Sequence, residues 1–117
     1  GFAFIDDNNN NILDEAEEIV EDVAIMLQNK SNKEVYDITN KNGYYVFTDL
    51  MIDKYNLITL PNSIPERTEV TFSSESRKYF LSEGWVIDLT YNKPNQNFNI
   101  PIRRKKMNIR MDIEPDR

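Results

Sequence analysis

Short segments rich in β-branched and aromatic residues, separated by turn residues, constrain the fold of this chain more than any other feature. They recur at intervals of roughly 8–12 residues, a spacing typical of sandwiches built from many short strands. The strands predicted after residue 30 are 34–39, 44–47, 55–60, 70–72, 78–81, 85–91 and 98–102. Turn-forming residues such as Gly43, Pro61, Gly84 and Pro94 lie between several of them. The pattern therefore predicts an all-β sandwich.

Residues 12–27 are compatible with two structures. Their apolar residues fall at helical spacing, and the glutamates among them are good helix formers. The same stretch also allows a strand, with Val23, Ile25 and Leu27 on one face and Ala24 and Met26 on the other. Periodicity alone favours the helix, so the residues by themselves leave the choice between helix and strand open.

The chain of 117 residues contains neither cysteine nor histidine. This excludes Cys/His zinc sites, iron–sulfur clusters, disulfides and catalytic arrangements that need a Ser-His or Cys-His pair. Oxygen ligands remain, which limits a metal site to calcium, magnesium or manganese. A net charge of −6 argues against general nucleic-acid binding, and the apolar runs are too short to span a bilayer. Carboxylates occur close together, but no nucleophile or oxyanion device accompanies them, so we expect no enzyme activity.

Charge is distributed unevenly along the chain. Residues 1–29 contain eight acidic residues and no lysine or arginine, whereas residues 103–106 form a basic run that Arg110 follows. Like charges repel, so the acidic cluster indicates a bound cation, with a solvated acidic face as the alternative. For the basic run, the sequence favours a solvated strand end or linker over a nucleic-acid patch, because no aromatic residues are interleaved with it.

The acidic segment 6–17 matches the ligand order of an EF-hand-type calcium loop. Such a loop takes side-chain oxygens from its first, third, fifth, ninth and twelfth places and a backbone carbonyl from its seventh. The corresponding ligands are Asp6, Asn8, Asn10, Asp14, Glu17 and the backbone carbonyl of Ile12. The sixth place, usually glycine, holds Asn11, which tolerates left-handed backbone better than most residues. We predict a weak Ca²⁺ site; the alternative is an asparagine-rich turn that binds no metal.

The order of motifs resembles the B-type repeats of bacterial surface proteins, the Sdr-type (SdrD B-like) adhesin repeat of the Cna-B and transthyretin-like superfamily. The family pattern opens with a short strand, a D-x-N-x-[DN]-G-x-x-D-x-G-E loop and a G-V-x-V-x-L strand, which correspond to residues 2–5, 6–17 and 22–27. A second pattern, G-x-Y-x-F-x-x-L-x-x-G-x-Y-x-V, corresponds to residues 43–57, and a closing strand to 98–104. Family glycines are replaced by Asn11, Ala16, Asp22 and Asp53.

This resemblance implies a prealbumin-like, Cna-B-like β-sandwich of about seven strands with a calcium loop between the first two strands. It implies a strand rather than a helix over 22–28, a domain over 1–104, and a terminal strand extension or linker to the next repeat over 105–117. Because the chain begins with glycine rather than methionine, we expect it to be part of a longer protein.

The implied role is that of a non-enzymatic, calcium-stabilised stalk or spacer repeat in a bacterial cell-surface or secreted protein. Its expected partners are neighbouring repeats of the same polypeptide and a host or cell-surface ligand of unknown identity, with no nucleic acid and no membrane contact by this fragment. One alternative is an adhesion or ligand-binding module that uses residues 61–95. Another is a periplasmic or outer-membrane-associated accessory domain of a secretion protein.

Aromatic residues provide a way to distinguish a spacer from a binding module. Five residues alternate along two predicted strands and are expected to fill the core rather than to form a carbohydrate platform: Tyr45, Phe47, Leu50, Tyr55 and Leu57. Exposure of a patch containing Trp85 and Tyr91 would favour ligand binding, whereas burial of these residues would favour a spacer.

Overall fold

The computed structural model describes residues 1–105, which form two β-sheets. The seven strands are β1 (Ala3–Ile5), β2 (Ala24–Asn29), β3 (Glu34–Ile38), β4 (Lys54–Thr59), β5 (Thr68–Glu69), β6 (Trp85–Asp88) and β7 (Ile100–Arg104). One sheet has the strand order β1-β7-β5 and the other β3-β2-β4-β6. The helical elements within this range are two short 3₁₀ helices, Pro61–Ser63 and Ser74–Lys78. The all-β prediction is confirmed, and the strands agree with a β-sandwich.

The three-stranded sheet brings the two ends of the described chain together. β1 pairs with β7 in parallel, with Ile5 opposite Ile102, and β5 pairs with β7 in antiparallel orientation. The backbone N–H of Asp6 continues this pairing by donating to the carbonyl of Ile102 at 2.8 Å. The end of β7 therefore lies beside the start of the acidic loop.

β2 is a central strand of the other sheet and shows that a helix over residues 12–27 was the wrong alternative. It pairs in antiparallel orientation with β3 on one side and β4 on the other. Just before it, Thr39 Oγ1 accepts from the Val23 N–H and donates to the Val20 carbonyl, both at 2.9 Å. These partners on both sides outweigh the local helical periodicity, and the strand implied over 22–28 is observed from Ala24 onward.

The core lies between the two sheets. It consists of Ala3, Ile5, Val20, Val23, Ile25, Leu27, Tyr45, Tyr55, Leu57, Trp85, Leu89, Ile100 and Ile102, with Phe47 and Leu50 packed partly against it. The aromatic residues of the 43–57 pattern therefore fill the core, as predicted. The Trp85 ring packs between Phe72 and Phe98, with ring centroids 4.8 and 5.2 Å away. Because Trp85 is 9% exposed and Tyr91 88% exposed, the two do not form a shared aromatic surface.

Three predicted strands differ from the structure. The segment 44–47 is held to the first residues by one isolated bridge, between Phe2 and Tyr44, and forms no strand. The strand expected at 70–72 lies earlier, at β5. The segment 78–81 is not a strand because serines before it bond to the local backbone: Ser73 Oγ accepts from the Glu75 N–H at 3.2 Å and caps a 3₁₀ helix. Such local bonds compete with sheet pairing.

Among residues 1–105, no helix has the length and hydrophobicity needed to cross a membrane.

The predicted extension or linker over 105–117 lies almost wholly outside the described residues, as do Lys106 and Arg110 of the basic run.

Tyr45 provides a test of the packing between the 43–57 segment and the closing strand. Its hydroxyl donates to the Phe98 carbonyl at 2.6 Å, and burial raises the pKa of the phenol. We expect Tyr45→Phe to lower the free energy of unfolding by about 1 kcal/mol, because the partly buried Phe98 carbonyl loses its donor. Urea unfolding followed by Trp85 fluorescence measures the change. The control, Tyr91→Phe on an exposed side chain, leaves the midpoint unchanged; equal effects of both variants would contradict the packing role.

The same tyrosine predicts a pH dependence. In the unfolded chain its pKa is about 10, and in the fold burial raises the pKa above that value. The folded state thus keeps the proton to a higher pH, so this contribution is complete below pH 10 and is lost above it. Wild-type stability should fall more steeply above about pH 10 than that of Tyr45→Phe. Parallel slopes in urea unfolding across this range would argue against the shift.

Candidate metal centre

Asparagine side chains shape the backbone of the acidic loop, residues 6–17. Asn8 Oδ1 accepts from the Asn10 N–H at 3.3 Å, and Asn10 Oδ1 accepts from the Ile12 N–H at 2.9 Å. Asn9 and Asn11 adopt left-handed backbone conformations, with φ of 58° and 61°. Asparagine favours both features, which explains why this run forms successive turns rather than a helix or strand. Asn11 thus takes the turn conformation expected at the sixth place of the loop.

Asp6 anchors the beginning of the loop. The residue is 1% exposed. Its Oδ1 accepts from the Asn10 N–H at 3.3 Å and its Oδ2 from the Asn11 N–H at 2.9 Å. The first predicted ligand is therefore tied to the fifth and sixth places of the loop.

Glu17 and Asp14 close the loop from its other end. The two Glu17 carboxylate oxygens accept from the N–H groups of Asp7 and Asp14, at 2.8 and 2.9 Å. Asp14 Oδ2 accepts from the side-chain amides of Asn8 and Asn10, at 2.8 and 3.0 Å. These bonds, with those of Asp6, bring all five predicted side-chain ligands into one hydrogen-bonded network.

The loop has the oxygen-bearing side chains, in the sequence order, that a hard cation such as calcium binds, although its carboxylates are held apart. Within residues 1–105, no three Asp, Glu, Cys or His side chains form a group that could hold a metal ion. The carboxylates repel one another and instead accept hydrogen bonds from N–H groups. Asn8 and Asn10 donate through their amide nitrogens, and rotation of each amide would present its oxygen. The oxygens of Asp6, Asp14 and Glu17 would close around an ion; their metal-ligating role stays a prediction.

Two arginines at the end of β7 contact the loop, a role that was not predicted from the sequence. Arg103 Nε lies 3.6 Å from Asp6 Oδ2, and Arg103 Nη2 donates to Asn11 Oδ1 at 2.7 Å. Arg104 Nε lies 3.2 Å from an oxygen of Asp7, and its Nη2 lies 3.5 Å from Glu18 Oε1. Both residues lie at the end of a strand and the Arg104 side chain is 58% exposed, which agrees with the predicted solvated strand end; their ion pairs with the loop were not predicted. The opposite signs of the two charged runs were the signal that pointed to this contact.

Comparison with known families gives a match over residues 1–83 to the family described as SdrD B-like domain. No curated protein matches the chain. The matched residues contain β1, the whole acidic loop and the strands from β2 to β5.

The burial of Asp6 predicts that replacing this residue destabilises the fold strongly even without metal. In Asp6→Asn one carboxylate oxygen becomes an amide nitrogen, which faces a backbone N–H donor and no longer offsets the charge of Arg103. We expect the free energy of unfolding in EDTA to fall by about 2 kcal/mol. Asp7→Asn, at a side chain 56% exposed, should cost about 0.5 kcal/mol or less. Urea unfolding of both variants in EDTA measures the difference, and equal losses would show that Asp6 does not anchor the loop.

Proposed function

The chain belongs to the SdrD B-like domain family, and we propose that it is a calcium-stabilised spacer repeat of a bacterial surface protein. Domains of this family are structural repeats of bacterial surface proteins. The observation that carries the calcium part of the proposal is the acidic loop, whose five oxygen-bearing side chains follow the order of a calcium loop and lie in one hydrogen-bonded network.

The proposed ion would be held by Asp6, Asn8, Asn10, Asp14, Glu17 and the backbone carbonyl of Ile12. When bound, calcium supplies positive charge to a loop whose carboxylates otherwise repel one another. The three carboxylates and two neutral amides fit a weak site, suited to the calcium concentrations found outside cells.

The position of the loop explains how an ion would stabilise the whole sandwich. The chain leaves β1 at Ile5, passes through the loop and returns alongside β1. The Ile5 N–H donates to the Glu18 carbonyl at 2.8 Å, and the Val20 N–H donates to the Ala3 carbonyl at 2.9 Å. The loop is therefore the turn that joins β1 to this returning segment, and ordering it favours the pairing on that side of β1.

The direction of the first and last strands, β1 and β7, supports a spacer that transmits force. β1 and β7 lie side by side and run the same way, with Ala3 opposite Ile100 and Ile5 opposite Ile102. A pull toward the start of β1 and the end of β7 would load their hydrogen bonds together, in shear, rather than one after another. Neighbouring repeats of the same polypeptide are the proposed partners, and the cell surface is the proposed location.

Calcium should raise the melting temperature of the wild-type domain. A ligand that binds only the folded state adds about 2.7 kcal/mol of stability at a hundredfold excess over its Kd, so millimolar calcium should shift melting upward and EDTA should reverse the shift. Thermal unfolding by circular dichroism or calorimetry, with magnesium in parallel, measures this. Identical melting curves in calcium and EDTA would rule out the calcium part of the proposal.

Glu17→Gln should abolish most of the calcium-dependent shift, because it removes the carboxylate at the twelfth place of the loop. Its matched control is Glu15→Gln, an exposed acidic residue of the same loop outside the predicted ligand places. The quantity to compare is the shift between EDTA and calcium, since Glu17 also accepts two backbone hydrogen bonds. A loss of the shift in both variants would indicate general charge screening instead of a defined site.

A further inference from the structure

The predicted calcium loop already has a positively charged partner. The Asp6 carboxylate is fully buried, and Arg103 Nε lies 3.6 Å from it. The same guanidinium donates through Nη2 to Asn11 Oδ1 at 2.7 Å. One side chain from β7 therefore contacts the first and the sixth places of the loop. Arg103 is 30% exposed, so solvent screens its interaction with Asp6 incompletely.

Arg104 places a second positive charge at the loop. It contacts Asp7 at 3.2 Å and Glu18 at 3.5 Å, one residue after the first place and one residue after the last. These pairs are exposed, with the side chain of Arg104 58% accessible. Exposed ion pairs are weak, so we assign the larger effect to Arg103.

We propose that Arg103, assisted by Arg104, is an internal counter-charge that competes with calcium for the acidic loop and thereby sets its affinity. This inference rests on the proposed calcium site. Without an ion, the guanidinium offsets the charge of the buried Asp6 and ties the first place of the loop to the sixth through Asn11. With an ion bound through Asp6, two positive charges share one carboxylate and repel each other. Arg103 thus stabilises the metal-free loop and weakens metal binding.

Arg103 is thus proposed to stabilise the metal-free fold but to weaken calcium binding. These opposite effects distinguish a competing counter-charge from a residue that only supports the loop. A residue that only supports the loop would, when replaced, weaken both the fold and calcium binding. A competing counter-charge would, when replaced, weaken the metal-free fold and strengthen calcium binding. Measuring both quantities on the same variant therefore distinguishes the two roles.

The first test compares Arg103→Gln, Arg103→Lys and Arg77→Gln with the wild type. Calcium titration calorimetry on metal-free protein gives the Kd, and urea unfolding in EDTA gives the stability. Arg103→Gln should lower the Kd on the order of tenfold and lower the urea midpoint. Arg103→Lys keeps the charge but loses the planar fork, so its Kd should stay near wild type while its midpoint falls part of the way. Arg77→Gln, in the 3₁₀ helix Ser74–Lys78, controls for loss of net positive charge and should change neither quantity.

Arg104→Gln keeps the test decisive if Arg103→Gln does not fold. Its contacts are exposed, so stability should change little while the Kd falls by roughly two- to threefold. An unchanged or weaker affinity in whichever of Arg103→Gln and Arg104→Gln folds would overturn the inference and leave the proposed calcium site standing. Calcium binding by Arg103→Gln but not by the wild type would support the counter-charge strongly. Absence of binding in the wild type and in every arginine variant would overturn both proposals.

Discussion

The acidic loop depends on the burial of one carboxylate, Asp6, at the point where β1 ends. A buried charge is costly unless hydrogen bonds and an opposite charge compensate it. Asp6 has both, since its side chain accepts from two backbone N–H groups and lies beside Arg103. Its own N–H donates to Ile102, so the pairing of β1 with β7 fixes the backbone that carries the carboxylate. The hydrogen bonds of the loop and the pairing of β1 with β7 therefore share Asp6, so a change that disrupts one is expected to disrupt the other.

Much of this fold could be predicted from local patterns, and the errors have specific physical causes. The apolar run 55–60 predicted β4, which is almost wholly buried, whereas the alternation in 34–39 predicted β3, an edge strand whose apolar side chains are largely exposed. Residues 78–81 were misassigned because serine hydroxyls before them satisfy the backbone locally. Residues 12–27 could not be assigned from periodicity, since the strand that begins at Ala24 depends on pairing with β3, which follows after a short turn, and with β4, which lies farther along the chain.

The loop was predictable to a different extent than its surroundings. The spacing of acidic and amide residues predicted which side chains form one network, because their contacts join residues that lie close together in the sequence. The arginines were missed because their contacts join residues 92 and 97 positions apart. The parallel pairing of β1 and β7 creates this proximity, and no local pattern reports it. Charge complementarity between the two runs was the available indication.

The replaced glycines show how the family backbone survives a change of sequence. Asn11 and Asp22 stand where the family pattern has glycine, and both adopt positive φ, at 61° and 64°. Asparagine and aspartate tolerate this region because their short side chains bond locally. Ala16 and Asp53 also replace family glycines, but among the described residues neither has a positive φ. The backbone at those two positions has a conformation that residues other than glycine adopt readily, so a side chain is accommodated. Of the four replaced glycines, only two therefore require left-handed backbone, and asparagine or aspartate adopts it at both positions. The turn whose N–H groups bind the Asp6 carboxylate is preserved.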